Sequence, residues 1–329
     1  MSQNKRMNGQ YFTITNPFNT VAFYKWCEEH EEEFRNAIIV EPFAGANNIP
    51  RMISDANILT NSWESFDIEP AHNKMSQFPI KQQDTIANFP GHYTLCITNP
   101  PYLSKNSATR RGLAYPNTQY DDLYKLCLEV MLQHVDYVAA IIPETFITSG
   151  LFTARLKYFV SLTCKMFDDT DCPVCLALFD KESTDDFMVY QMNEKIGLYS
   201  TLCKGLVRPA VYHTWTINDP AGSVGIKCCD NTKEPSIEFC EGSSIAANKI
   251  KVSSRAITRV SGLPDNVNLN EFLAACNRIL KKYRLETHDV FMASFKGLRS
   301  DEKYRRRLDF ATAKDIMSQA LLEVTHASH

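Results

Sequence analysis

The sequence predicts an α/β protein: a doubly wound, mostly parallel sheet followed by a second, mixed α+β domain. Short apolar runs alternate with helical stretches through the first half of the chain, as in repeated β-α-β units. After about Gly197 the texture changes to short, turn-punctuated strand candidates without intervening helices. A boundary between 195 and 196 follows, giving domains of 1–195 and 196–329. With 329 residues, 44% of them hydrophobic, the chain can supply a core to each.

In order, NTVAFYKWCEEHEEEF reads as a helix and AIIVEP (37–42) as a buried strand running into FAGANN. NIPRMISDAN is a short helix and WESFDIEP the second strand; a third short strand ends near Asp84, and HYTLCITNPP is the fourth. DDLYKLCLEVMLQHV carries a helical apolar stripe, with Asp121 and Asp122 at the end where the helix dipole favours acids. YVAAIIPETFI is the fifth strand, GLFTARLKYFVSL a helix, and VCLALFD with FMVYQM a closing strand pair, making seven strands. In the second domain GLVRPAVYHTWTI, SVGIKCC, SIEFCEG and NKIKVSSRAITRVSGL are strand candidates. NLNEFLAACNRILKKYRL is a helix with Asn268 or Asn270 as cap, and LDFATAKDIMSQALLEV is a last helix.

Composition excludes some classes. No apolar run is long enough to span a membrane, and the first residues lack the apolar core of a secretory signal. The eleven cysteines are odd in number and scattered, which suits reduced thiols in the cytoplasm. Cys172-Pro-Val-Cys175 has no second pair to complete a zinc set, and the eight histidines form no cluster, so no metal is expected. The net charge of −3 hides an asymmetry: Lys249 to Arg307 holds fourteen basic residues against six acidic ones. A basic end on an acidic body is the footprint of a polyanion-binding module.

In an open α/β sheet ligands gather at the carboxyl ends of the strands. Here those ends are Glu41-Pro42-Phe43-Ala44-Gly45, Asp67-Ile68, Asp84 and Asn99-Pro100-Pro101-Tyr102. A turn at Gly45 lets backbone amides approach a carboxylate, and Glu41 can meet an ammonium group. Asp67 can accept from ribose hydroxyls, and Asp84 from an exocyclic amine. Together these demands describe an amino acid joined to a nucleoside. The Asn99 amide oxygen and Pro100 carbonyl can accept both N–H bonds of an aromatic amine and localise its lone pair. The paired prolines stiffen that backbone, and Tyr102 offers a flat face for a flipped base.

On these residues the chain resembles the S-adenosylmethionine-dependent DNA amino-methyltransferases, specifically the adenine-N6 branch with a C-terminal target-recognition domain. NPPY (Asn99 to Tyr102) matches the catalytic motif, and EPFAGAN resembles the cofactor loop. FDIEP matches the ribose-binding acid at Asp67, and GQYFT (9–13) resembles the segment that closes over the methionine moiety. The motif order is also that of the branch. The resemblance covers about residues 8 to 180 and implies a seven-stranded, Rossmann-like methyltransferase sheet. It implies S-adenosylmethionine as cofactor, held by Tyr11, Thr13, Glu41, Pro42, Phe43, Gly45, Asn47, Asp67, Ile68, Asp84 and Asn99. Asn47 stands where the family has a second glycine, which puts that contact in question. The resemblance also asks for an aromatic second stacking face, and Phe167 is the candidate.

The implied partner is double-stranded DNA, with base flipping at a specific sequence. The implied setting is restriction–modification, phage or plasmid biology, where a cognate restriction endonuclease can be encoded nearby. Lys105, Arg110 and Arg111, read as a loop beside the rim, are expected at phosphates. The same is expected of Arg255, Arg259, Lys281, Lys282, Arg284, Arg305, Arg306 and Arg307 in the basic domain. RNA adenine-N6 transfer, DNA cytosine-N4 transfer and non-catalytic nucleic-acid binding on the same fold stay open as alternatives.

Overall fold

The computed structural model describes residues 13–69, 79–164, 166–167 and 172–326. Tyr11 and Pro70 therefore lie outside the described residues. The chain divides into two compact units, Met1–Tyr199 and Ser200–His329. Among the described residues no helix is long and apolar enough to cross a membrane, and all eleven cysteines are free thiols.

The first unit is a doubly wound α/β domain. Its strands are β1 (Ile39–Glu41), β2 (Trp63–Asp67), β3 (Ile80–Gln82), β4 (Tyr93–Thr98), β5 (Val135–Pro143), β6 (Leu156–Leu162), β7 (Val174–Phe179), β8 (Met188–Gln191) and β9 (Glu194–Leu198). They form one sheet in the order β3-β2-β1-β4-β5-β7-β6-β8-β9. The first five run parallel. β7 is antiparallel to both its neighbours, β8 is parallel to β6, and β9 closes the edge antiparallel. The central strands are apolar without alternation, as expected where a sheet is covered on both faces: every residue of β7 is buried. The covering helices are α1 (Val21–Glu29), α2 (Glu31–Phe34), α3 (Asn48–Asp55), α4 (Lys105–Arg111) and α5 (Leu123–His134). Phe23 and Trp26 of α1 are fully buried, and Trp26 meets Phe34 edge-on at 5.0 Å.

Four expectations are corrected. Among the described residues the sheet of the first unit has nine strands, not seven. GLFTARLKYFVSL is not a helix, because its second half is β6, held between β7 and β8. Its Tyr158, Phe159 and Val160 are aromatic or β-branched types that favour a pleated surface, and burial on both sides overrides a helical period. β7 and β8 are consequently not paired with each other. The stretch after NPPY is helical rather than a loop, capped by Ser104 accepting from the Ser107 amide and ended by Gly112 in the left-handed region (φ 67°).

The second unit packs a four-stranded antiparallel sheet against two helices. The strands are β10 (Thr216–Ile217), β11 (Val224–Lys227), β12 (Glu238–Glu241) and β13 (Ile257–Ser261), in the order β10-β13-β11-β12. Helix α6 (Leu269–Thr287) begins at Asn268, whose side chain accepts from the amides of Asn270 and Glu271; α7 (Phe310–His326) follows. Trp215, Val224, Phe239, Phe272, Tyr283 and Met317 share the core. The hairpin β14 (Ala293–Leu298) and β15 (Tyr304–Arg307) was not anticipated. It places Arg305 to Arg307 on a strand, where alternate side chains face opposite sides.

Candidate active site

Strand order reverses between β1 and β4, so the loops that follow these two strands diverge and leave a crevice. A cavity of about 590 Å³ opens there. The end of β1 and its loop line it through Glu41, Pro42, Phe43, Ala44, Gly45 and Ala46; the end of β2 adds Asp67, Ile68 and Glu69. Asp84 lines it after β3, and Asn99 with Pro101 after β4, so one cavity touches four strand ends. Thr13 joins them from the start of the described chain, by an antiparallel bridge to Phe167.

Local chemistry shapes the loop after β1. Gly45 takes a left-handed turn (φ 53°), and its amide donates to Asp67 Oδ2 at 2.7 Å. The Glu69 amide donates to Asp67 Oδ1 at 2.7 Å, so one carboxylate ties the β1 and β2 loops together. Thr85 adds a third strand end by donating to the Pro42 carbonyl at 2.9 Å. Asn47 is left-handed too (φ 57°) and buried, and neither of its amide atoms has a partner among the described residues. It does not line the cavity, unlike the neighbouring Asn48, which is a correction to its expected cofactor contact. The turn turns its side chain inward.

Glu41 is 1% exposed. Its Oε1 accepts from the Thr98 hydroxyl at 2.5 Å and the Phe43 amide at 3.0 Å. No cation pairs with it among the described residues. Burial pushes its carboxyl up to about 8, against the lowering effect of those two hydrogen bonds, and nearby Asp67 adds to the rise. A buried carboxyl group without a counter-ion, on a cavity wall, can ionise when a cationic group comes to face it. Asp84 caps the following turn by accepting from the amides of Ile86 and Ala87, both at 3.1 Å, while lining the cavity. Ile68 is 60% exposed and gives the rim an apolar surface.

The Asn-Pro-Pro-Tyr turn is organised from within. The Tyr102 hydroxyl lies 2.5 Å from Asn99 Oδ1 and 2.6 Å from the Ile141 carbonyl oxygen, so one proton serves two acceptors. The Asn99 amide nitrogen donates to Thr13 Oγ1 at 3.3 Å. These contacts fix which way the amide points. Tyr102 and Phe167 are corrections to the expected stacking faces. Both are buried, their rings meet edge-on at 6.1 Å, and neither lines the cavity. Burial drives the Tyr102 hydroxyl well above the usual phenol range, keeping it a donor. The apolar wall beside the turn comes instead from Pro101, Pro116 and Leu123. Sequence reading missed Thr98, Thr85, Pro116 and Leu123. Only Thr98 carried a signal, as the polar last residue of an apolar strand.

Lys105, Arg110 and Arg111 are exposed on α4. In the second unit Arg255, Lys281 and Lys282 are exposed, Lys282 lying 3.9 Å from Glu286. Arg284 and Arg306 are corrected. Arg284 bonds both oxygens of Asp230 (2.9 and 3.0 Å) and both of Asp289 (2.9 and 2.6 Å). Arg306 is 5% exposed and donates to Ser294 Oγ at 2.6 Å. Burial opposes ionisation of Asp230, but hydrogen bonds and charge from Arg284 prevail and hold its carboxyl at about 2. A fully buried carboxylate demands such partners, so these guanidiniums serve the fold. Arg259 donates to the carbonyls of Ile245 and Pro220, both at 2.7 Å. Arg305 donates to the Asp230 carbonyl and lies over the Phe295 ring; Arg307 is half-buried on β15. Among the described residues no group of three or more His, Cys, Asp or Glu is placed to hold a metal.

No protein-family model matches this chain, and no curated protein matches it. Several solved structures are similar to it at low identity. A type I restriction-modification system methyltransferase subunit from Streptococcus thermophilus is 13% identical over 58% of this chain and 50% of its own, with a TM-score of 0.40. The type IIG restriction endonuclease BpuSI is 15% identical over 56% of this chain and 27% of its own, at 0.40. The type IIL restriction-modification enzyme MmeI, in complex with DNA, is 11% identical over 60% and 41%, at 0.42. This chain thus spans half or less of the length of each.

Proposed function

We propose that the first unit transfers a methyl group from S-adenosylmethionine to the N6 amino group of an adenine extruded from a specific duplex DNA sequence, in a restriction–modification, phage or plasmid setting. The observation that supports this most is a shared cavity: the loop after Glu41 and, through Asn99 and Pro101, the Asn-Pro-Pro-Tyr turn open onto the same 590 Å³ space. The donor set suits the cofactor. Glu41 is a counter-ion in waiting for an ammonium group, Asp67 and Asp84 offer acceptors, and Ile68 offers an apolar surface. S-adenosylmethionine, when bound, supplies a methyl group on a cationic sulfur. The second unit contributes positive charge for phosphates, through exposed residues such as Arg255 and Lys281.

The residues of the turn account for the chemistry. Asn99 Oδ1, oriented by Tyr102, accepts one N–H of the adenine amine, and the Pro100 carbonyl accepts the other. That pulls the nitrogen out of conjugation and aims its lone pair before substrate arrives, so little reorganisation remains at the moment of reaction. Pro101, Pro116 and Leu123 give the base an apolar wall and exclude water.

Incubation with labelled S-adenosylmethionine and mixed duplex DNA is expected to yield N6-methyladenine. Label found only as N4-methylcytosine, only in RNA or only in protein overturns the assignment. Tyr102→Phe is expected to lower turnover by about 10-fold, the worth of one orienting hydrogen bond, with cofactor affinity unchanged. An equal loss in cofactor binding would instead mark Tyr102 as merely structural.

A further inference from the structure

The turn between β12 and β13 has features that neither the core nor the cavity explains. Val252 is 97% exposed at its tip. A β-branched side chain in open water gains nothing for the fold. The turn is nevertheless built rigidly: the Ser254 amide donates to the Lys251 carbonyl at 2.8 Å and the Lys251 amide to Ser254 Oγ at 2.9 Å. Asn218 Nδ2 braces it from outside, at 3.0 Å from the Val252 carbonyl and 3.2 Å from that of Ser254. Ile250, 8% exposed, anchors its base. Lys249, Lys251 and Arg255 flank the tip, all exposed, and no ion pair engages them among the described residues. From residue 242 to residue 264 the sequence has no Asp or Glu at all.

We infer that this turn is a wedge for duplex DNA. Lys249, Lys251 and Arg255 hold phosphates while Val252 enters between neighbouring bases and unstacks them. The charge selects a polyanion. The apolar tip suits a stacked interior, as other apolar wedges do. Val252 keeps few rotamers, so holding it in place costs little entropy. The inference rests on the reading that the protein acts on duplex DNA, and it names the element that helps free the target adenine.

Two variants of the full chain test it. Replacing Lys249, Lys251 and Arg255 by glutamine should weaken duplex binding about 10-fold or more and reduce the slope of log affinity against log salt by about 2 to 3. Val252→Ala, a change in solvent, should lower methyl transfer to fully paired DNA by about 10-fold and be rescued by a mismatch at the target adenine, where less unstacking is needed. An unchanged salt slope, or a Val252→Ala rate that is unaltered or not rescued, overturns the wedge. Failure of the unaltered protein to bind duplex DNA overturns it as well. Duplex binding with the expected salt slope but no methyl transfer to any substrate supports the phosphate contacts and instead sinks the reading of the active site.

Discussion

Asn99→Ala is expected to lower methyl transfer by about 10²- to 10³-fold, the usual cost of removing one preorganised polar group aimed at the reacting centre. The Asn99 amide sits at the end of β4, its oxygen beside the Tyr102 hydroxyl and its nitrogen near Thr13, so its direction is set before any ligand arrives. Alanine leaves the two prolines and the turn intact while deleting the acceptor. Cofactor affinity should therefore change by no more than about 3-fold, because the loops after β1 and β2 keep their own bonds to Asp67. Single-turnover transfer measured beside equilibrium binding of S-adenosylmethionine separates the two effects. Undiminished transfer would remove Asn99 from the chemistry.

The second large effect is expected at Glu41. Its carboxyl, raised by burial to about 8, is mostly protonated near neutrality when no cation faces it. Binding an ammonium group must then expel that proton. Calorimetry in buffers of different ionisation enthalpy should show up to about one proton released per cofactor at about pH 6.5, and almost none by about pH 9. Glu41→Gln should abolish this release and weaken cofactor binding by about 10- to 100-fold, the worth of a hydrogen bond to a charged group. The same shift sets the sign for stability. The folded-state value of about 8 exceeds the unfolded value of 4.5, so Glu41 favours the ligand-free fold most below 4.5. That contribution is lost as pH rises through about 8. Melting temperatures without cofactor should fall between pH 5 and pH 8 more steeply for the unaltered chain than for Glu41→Gln. Equal slopes would show that Glu41 is already ionised.

Much of the candidate site was legible in one dimension because its residues sit at strand ends. An apolar run that stops on Glu41, Asp67 or Asn99 announces a buried strand meeting a polar rim, and parallel strands put those rims on one edge. The order of the short motifs resembles that of the adenine-N6 branch, and the loops that carry EPFAG, FDIEP and NPPY open onto one cavity. GLFTARLKYFVSL was less transparent. Its sequence carries both a helical period and strand-forming residues, and only its place between β7 and β8 chose the strand.

Side-chain roles set by partners far along the chain were not legible at all. Arg284 and Arg306 look like any basic residues in a basic region, yet Asp230, more than fifty positions away from Arg284, claims one and helps hold the strand carrying the other. Tyr102 looks like an open ring, and the carbonyl of Ile141 on the neighbouring strand pulls it inside. Sequence by itself determined most of the elements of the first unit and where the polar ends of its parallel strands fall, since period and breakers are local properties. Tertiary structure alone decided which charges are spent inside the protein and which remain for a ligand, because that depends on burial and on partners that only folding brings within hydrogen-bond reach.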